Sequence, residues 1–173
     1  MENQMNNIYL IGFMGAGKSA VSKTLHKMTG FDMVDTDQRI EKKEQMEISE
    51  IFKTKGEAYF RKVERECVAE LTNEKNKIVA CGGGVATIEE NQKEIKKGGL
   101  VIYLSASPET ILERVKRNNK RPLLEGKKTI KDIQNFLAQR VPAYEKVADY
   151  ILSVDGKTLE EIAGEILSYI DFR

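Results

Sequence analysis

A parallel β-sheet layered between helices, an α/β fold, follows from three features of this chain. Short apolar runs alternate with longer amphipathic stretches along the 173 residues, the pattern that builds parallel strands joined by helical crossovers. The motif Gly12-Phe13-Met14-Gly15-Ala16-Gly17-Lys18-Ser19 directly follows one such run, Ile8-Tyr9-Leu10-Ile11, and directly precedes a helical pattern. The spacing G-x-x-x-x-G-K-[ST] therefore falls in the strand, loop, helix context it requires. The length suits one domain, residues 1–173, able to bury roughly 70% of the surface its unfolded chain exposes.

Taken in order, strands are expected at about 7–12, 31–35, 77–81, 99–104 and 149–154. After the first strand, glycines let backbone N–H groups converge on a phosphate with no side chain between, and the helix start adds partial positive charge from its unsatisfied amides. Lys18 then brings a full charge to the β and γ phosphates, and Ser19 a hydroxyl ligand for Mg2+. An ordinary tight turn would account for the glycines but not for both flanks. Residues 36–74 depart from simple alternation, with two or three helices between the second and third strands, extra mass that suits an inserted substrate subdomain. The third strand runs into Gly82-Gly83-Gly84. After the fourth, Ser107-Pro108-Glu109 sets a capping side chain before a proline at the first helical position, and Thr158-Leu159-Glu160-Glu161 has the S/T-x-x-E spacing of another helix start. Between them, residues 114–131 hold eight Lys or Arg against one acid, Glu125, a local net charge of +7 in a chain whose total is +1. Within that segment residues 118–126 have loop chemistry. The final helix carries Leu159, Ile162, Ala163, Ile166, Leu167 and Ile170 at 3–4 spacing, the stripe of a core-covering helix.

Composition narrows the function classes. Lys plus Arg number 28 and Asp plus Glu 27, so bulk charge gives no reason to expect a nucleic-acid partner. The longest apolar segments, such as Leu100-Val101-Ile102-Tyr103-Leu104, fall far below the roughly 18 residues a membrane span needs. No basic start with an apolar core follows Met1, so a cytoplasmic protein with no membrane partner is expected. Cys67 and Cys81, on a predicted helix and a predicted buried strand, have no second cysteine nearby and are expected to be reduced packing residues. His26, the single histidine, is expected at the surface of the first helix, which removes Ser-His and Cys-His catalysis. Asn76-Lys77-Ile78-Val79 lacks the aspartate of an N-K-x-D guanine motif, which argues against a signalling GTPase.

Several residues could carry chemistry. A carboxylate should approach the metal from the end of a neighbouring strand, since open α/β sheets bind ligands at the carboxyl ends of their strands. Asp35 and Asp37 satisfy this, or serve instead in helix N-capping before Gln38, for which Thr36 and Asp37 are equally suited. Gly82, Gly83 and Gly84 fit either a sharp turn or a backbone that donates to a ligand. Arg61 and Arg140, on predicted helices over 57–71 and 133–144, present forks matched to a carboxylate or phosphate, or pair with a nearby acid such as Glu57 or Glu64 for Arg61. The basic loop around Arg121-Pro122 suits a lid that closes over a transferring phosphoryl group, or a solvated surface run.

Taken together, these residues resemble the shikimate kinase family over essentially the whole chain. The resemblance rests on Gly12-x-x-Gly15-x-Gly17-Lys18-Ser19, Asp35-Thr36-Asp37, Phe60-Arg61-x-x-Glu64, Gly82-Gly83-Gly84, Arg121-Pro122-Leu123-Leu124 and Arg140-x-x-x-Tyr144, all in the family's order and approximate spacing. It implies a nucleoside-monophosphate-kinase-like P-loop fold: three α/β/α layers, a five-stranded parallel sheet in the order 2-3-1-4-5, shikimate-binding helices at about 36–74 and a lid at about 114–131. It implies ATP-dependent, Mg2+-requiring transfer of the γ-phosphoryl group to the 3-hydroxyl of shikimate, giving shikimate 3-phosphate and ADP in chorismate and aromatic amino acid biosynthesis, by a monomer. ATP would lie on Gly12, Gly15, Ala16, Gly17, Lys18, Ser19 and Ala20, with Arg114 against adenine and Arg121 reaching the transferring phosphate. Ser19 and Asp35 would serve the metal, Asp35 through water. Asp37 would hold the shikimate hydroxyls and act as base, Arg61 and Arg140 would grip its carboxylate, and Gly82, Gly83 and Gly84 would meet the ring hydroxyls. Phe52 and Phe60 would wall the pocket or simply pack the core. One departure is Asp155-Gly156-Lys157, where the family often has a proline near the adenine. A gluconate-type kinase and a non-catalytic nucleotide-binding module are the alternatives.

Overall fold

Strands buried on both faces read as continuous apolar runs, and strands at a sheet's edges do not have to. That difference sorts the five strands of the computed structural model, which describes residues 6–117 and 129–171. β1 (Asn7–Ile11), β3 (Lys77–Ala80) and β4 (Gly99–Ser105) are buried almost throughout, whereas β2 (Asp32–Asp35) and β5 (Tyr150–Ser153) are largely open to solvent. The sheet order is β2-β3-β1-β4-β5, every pair parallel, the order the resemblance implies. β1 lies at the centre, with Tyr9 opposite Val79 on one side and Val101 on the other.

The period of two along each strand divides the core between the two faces of the sheet. Tyr9, Ile11, Val79, Val101 and Tyr103 enter one cluster, and Ile8, Leu10, Ile78, Ile102 and Leu104 the other. Against the second face lie α1 (Lys18–Thr29) and α8 (Leu159–Asp171), through Val21, Leu25, Ile162, Ala163 and Ile166. Against the first lie α2 (Thr36–Glu44), α3 (Ile48–Lys55), α4 (Glu57–Thr72), α5 (Glu89–Gly98), α6 (Pro108–Arg117) and α7 (Ile130–Val147). Ile40, Ile51, Val63, Ile95, Ile111 and Ile133 are their respective anchors in that cluster. Three of these helices, α2, α3 and α4, fill the stretch between β2 and β3.

Local chemistry sets the helix starts. The Ser107 hydroxyl accepts from the Thr110 amide at 3.2 Å and the Thr158 hydroxyl from the Glu161 amide at 3.1 Å, each satisfying a first-turn donor. Leu159, read above as part of the core stripe, is 37% exposed because it opens α8, where the helix has not yet reached the sheet. His26 is half-buried rather than solvated: its Nδ1 lies 2.6 Å from the Phe31 carbonyl and closes the turn between α1 and β2. Asn7, also buried, joins three elements. Its side-chain amide donates to the carbonyls of Leu71 and Glu74, each at 3.0 Å, and its side-chain oxygen accepts from the Lys77 amide at 3.0 Å. Cys67 and Cys81 are free and buried; burial pushes the Cys67 thiol up to about 11 and the Cys81 thiol higher still, which keeps both protonated. Among the described residues no helix is long and apolar enough to cross a membrane.

Candidate active site

β1 delivers the chain into a loop that only glycine can trace at its tightest points. Gly17 has a φ of 92°, and a Cβ on Gly12 would stand 2.6 Å from the Leu104 carbonyl oxygen of the neighbouring strand. α1 begins at Lys18, so Lys18, Ser19 and Ala20 form its first turn, whose amides have no acceptor within the helix. The Lys18 ammonium folds back over the loop, donating to the Gly12 carbonyl at 2.6 Å and the Phe13 carbonyl at 3.1 Å. Ala16, buried beneath, donates its amide to the Phe13 carbonyl at 3.1 Å. Arg114 reaches across from α6 and donates to the Gly15 carbonyl at 3.0 Å; a Cβ on Gly17 would stand 2.8 Å from the same Arg114 nitrogen. The result is a cradle with helix-end amides, one ammonium and one guanidinium around it, the equipment of a polyphosphate site.

Asp35 takes the capping role in the Asp-Thr-Asp segment and at the same time faces Ser19. β2 ends at Asp35 and α2 starts at Thr36, so the two aspartates do not share a strand face. Asp35 Oδ1 caps α2 by accepting from the Gln38 amide at 3.1 Å, while Oδ2 accepts from the Ser19 hydroxyl at 3.1 Å. Neither Thr36 nor Asp37 is the cap, because Asp35 is the residue left in extended backbone at the helix boundary. A cleft of about 120 Å3 opens beside this pair, bordered by Ser19, Asp35 and Gln38. Among the described residues no three His, Cys, Asp or Glu side chains gather as a metal cage. A cation here would draw on one carboxylate, one hydroxyl, water and phosphate oxygens, a donor set that suits a hard ion such as Mg2+ and gives thiolate or imidazole metals nothing.

The second half of the cleft is built around Gly82, Gly83 and Gly84, which follow β3. A Cβ on Gly82 would lie 2.6 Å from Asp37 Oδ1, one on Gly83 2.8 Å from Arg140 Nη1, and one on Gly84 would overlap the Arg61 guanidinium. Three side chains from α2, α7 and α4 thus reach one glycine loop, a convergence that sequence spacing does not reveal. Arg61 donates to Glu64 at 2.9 Å and lies 3.8 Å from Glu57, so both acids named above as partners are used. Glu64 is buried, and burial pushes its carboxyl up to about 7 against the opposing pull of Arg61. Arg140 differs: its Nη1 is buried with no hydrogen-bond partner among the described residues, and its guanidinium lies 5.4 Å from the Phe13 ring. A buried donor nitrogen with no acceptor is costly, and a bound anion would relieve that cost. Phe60 belongs to the core, and Phe52 packs on it with ring centroids 4.8 Å apart.

Two hydroxyls, one offered above only as a helix cap and one given no role, also meet this loop. Thr36, fully buried, accepts from the Gly82 amide at 2.8 Å, and Tyr144 donates to the Gly83 carbonyl at 2.6 Å. Both stood inside quoted motifs, but a hydroxyl bound to a distant backbone group leaves no pattern in a single sequence. Arg121, with the rest of residues 118–128, lies outside the described residues.

The shikimate kinase family model matches residues 14–171. The chain belongs to the shikimate kinase family. A shikimate kinase of Thermodesulfovibrio yellowstonii is 46% identical over 94% of this chain and 94% of its own length. One of Persephonella marina is 44% identical over 96% of this chain and 99% of its own. The solved structure of the Acinetobacter baumannii shikimate kinase in complex with shikimate superposes with a TM-score of 0.91 at 36% identity, covering 96% of this chain and 93% of that one. The fold that carries the cleft is thus shared over 96% of the chain.

Proposed function

We propose that this chain is an ATP-dependent shikimate kinase that transfers the γ-phosphoryl group of ATP to the 3-hydroxyl of shikimate. The observation that carries the reading is the meeting of Asp37, Arg61 and Arg140 at Gly82, Gly83 and Gly84, one short step along the strand ends from the Lys18 loop. In this reading Arg140 and Arg61 bind the substrate's carboxylate, the orphaned Nη1 of Arg140 gaining the partner it lacks. Asp37 accepts a hydrogen bond from the attacking hydroxyl and takes its proton as the new O–P bond forms. Lys18 exchanges the carbonyls of Gly12 and Phe13 for β and γ phosphate oxygens. Ser19 and Asp35 would hold Mg2+, whose charge offsets that of the phosphates when bound. Arg114, already on the Gly15 carbonyl, stands where it can flank the nucleotide. Positioning and charge, rather than covalent chemistry, supply the acceleration. The reading takes the protein to act as a monomer.

A coupled ADP-release assay with ATP and Mg2+, offering shikimate and gluconate separately, tests this. Turnover with shikimate and none with gluconate is expected. Turnover with gluconate alone, or nucleotide binding with no turnover of either acid, would overturn it.

A further inference from the structure

Tyr144 lies on α7 one helical turn beyond Arg140, fully buried, with its ring against Tyr103 at 5.1 Å between centroids. Its hydroxyl spans the gap from α7 to the glycine loop and donates to the Gly83 carbonyl at 2.6 Å. From the opposite side the Thr36 hydroxyl accepts the Gly82 amide at 2.8 Å. Two hydroxyls on two different helices thus hold adjacent peptide groups of one loop. The loop itself has no side chains with which to anchor itself. Its nearest neighbours are the three groups named above, with the Gly12 carbonyl and Met14 amide farther from a Cβ on Gly83 at 3.9 Å, so a shift of the loop first moves the surface against which Asp37, Arg140 and Arg61 rest. Burial pushes the Tyr144 hydroxyl up to about 12, opposed by the Arg140 guanidinium beside it, so it remains a proton donor at neutral pH.

We propose that Tyr144, with Thr36, is a positioning residue for the organic acid: the two hydroxyls clamp the glycine loop between α7 and α2 and so set where Arg140 meets the substrate's carboxylate. The inference rests on the reading of this cleft as a shikimate site. It predicts a loss confined to one substrate, because the Lys18 loop shares neither tether.

Tyr144→Phe keeps the ring and removes the donor. In steady-state assays of the full chain, KM for shikimate should rise about tenfold, the scale of one lost neutral hydrogen bond. KM for ATP should stay within about twofold and kcat within about threefold. Tyr103→Phe, the same deletion on the neighbouring ring, should leave both KM values unchanged. If Tyr144→Phe does not fold, Thr36→Val is read by the same ratio of KM changes. A shikimate KM equal to that of the unsubstituted chain, or equal rises in both KM values, overturns the proposal whatever happens to the melting temperature. An unsubstituted chain that does not turn over shikimate removes the underlying reading instead, so the two failures are distinguishable.

Discussion

The two halves of the cleft are built in opposite ways. The half proposed to take phosphate comes mainly from a continuous piece of chain, Gly12 to Ala20, with backbone amides, helix-end charge and one lysine, joined by Arg114 from α6. The half proposed to take the acid comes from α2, α4, α7 and the loop after β3, and relies on side chains brought together across the fold. A phosphate is common to many substrates, so a local and portable device serves it. Discrimination of one small acid needs groups at fixed distances in three dimensions, which a short segment does not span. Changes in the first half should therefore strike turnover, and changes in the second should strike one substrate's binding.

The sharpest contrast is expected at Lys18. Lys18→Ala should lower kcat by about 10² to 10³ or more, the scale of losing a preorganised transition-state donor, with shikimate affinity little changed in isothermal titration. Arg140→Ala should weaken shikimate about 30- to 100-fold, the value of a charge-assisted contact, and leave ATP within about twofold. Arg61→Ala, unlike Arg140→Ala, also strips the buried Glu64 of its ion pair, so Arg140 is the probe that leaves that pair in place. Equal loss of affinity for both substrates would erase the distinction between the halves. Gly84→Ala, whose added methyl collides with the Arg61 guanidinium, should cost about tenfold in shikimate KM through misplacement alone.

Glu64 permits a test by pH. Its carboxyl rises from an ordinary 4.5 to about 7 in the fold, so between those values the native state binds more protons than the unfolded chain. Unfolding free energy then falls as pH rises through this window, by about 3 kcal/mol at most. Glu64→Gln should lack that slope, and parallel slopes for the two proteins in urea titrations at pH 5 and pH 8 would contradict the assignment. The smallest effect is expected far from the cleft. Thr158→Ala removes the cap of α8 and should lower stability by about 1 kcal/mol with both KM values intact.

Much of this architecture is legible in the residues. The inner strands stand out because burial on both faces demands unbroken apolar runs, as in Leu100-Val101-Ile102. The edge strand Asp32–Asp35 is identified by its place between helices more than by its composition, and its first residue comes one later than the expected 31. The phosphate loop is legible because its chemistry is local. Asp35 shows the limit of that reading: composition permits Asp35, Thr36 or Asp37 as cap, and only the point at which β2 gives way to α2 selects one. Glu64 can be read as an i,i+3 partner of Arg61, but not its burial, which is what lifts its carboxyl.

Sequence alone determined the sheet's strands, the phosphate cradle and the family, because periodicity and contiguous motifs act over distances shorter than a helix. The resemblance grouped Asp37, Arg61, Arg140 and the three glycines, but only the tertiary structure supplied the contacts by which they meet, and it alone placed Tyr144 and Thr36 on the loop between them. The reason is that each of these contacts joins residues far apart in the chain, and which of them touch is set by how the helices pack across the sheet.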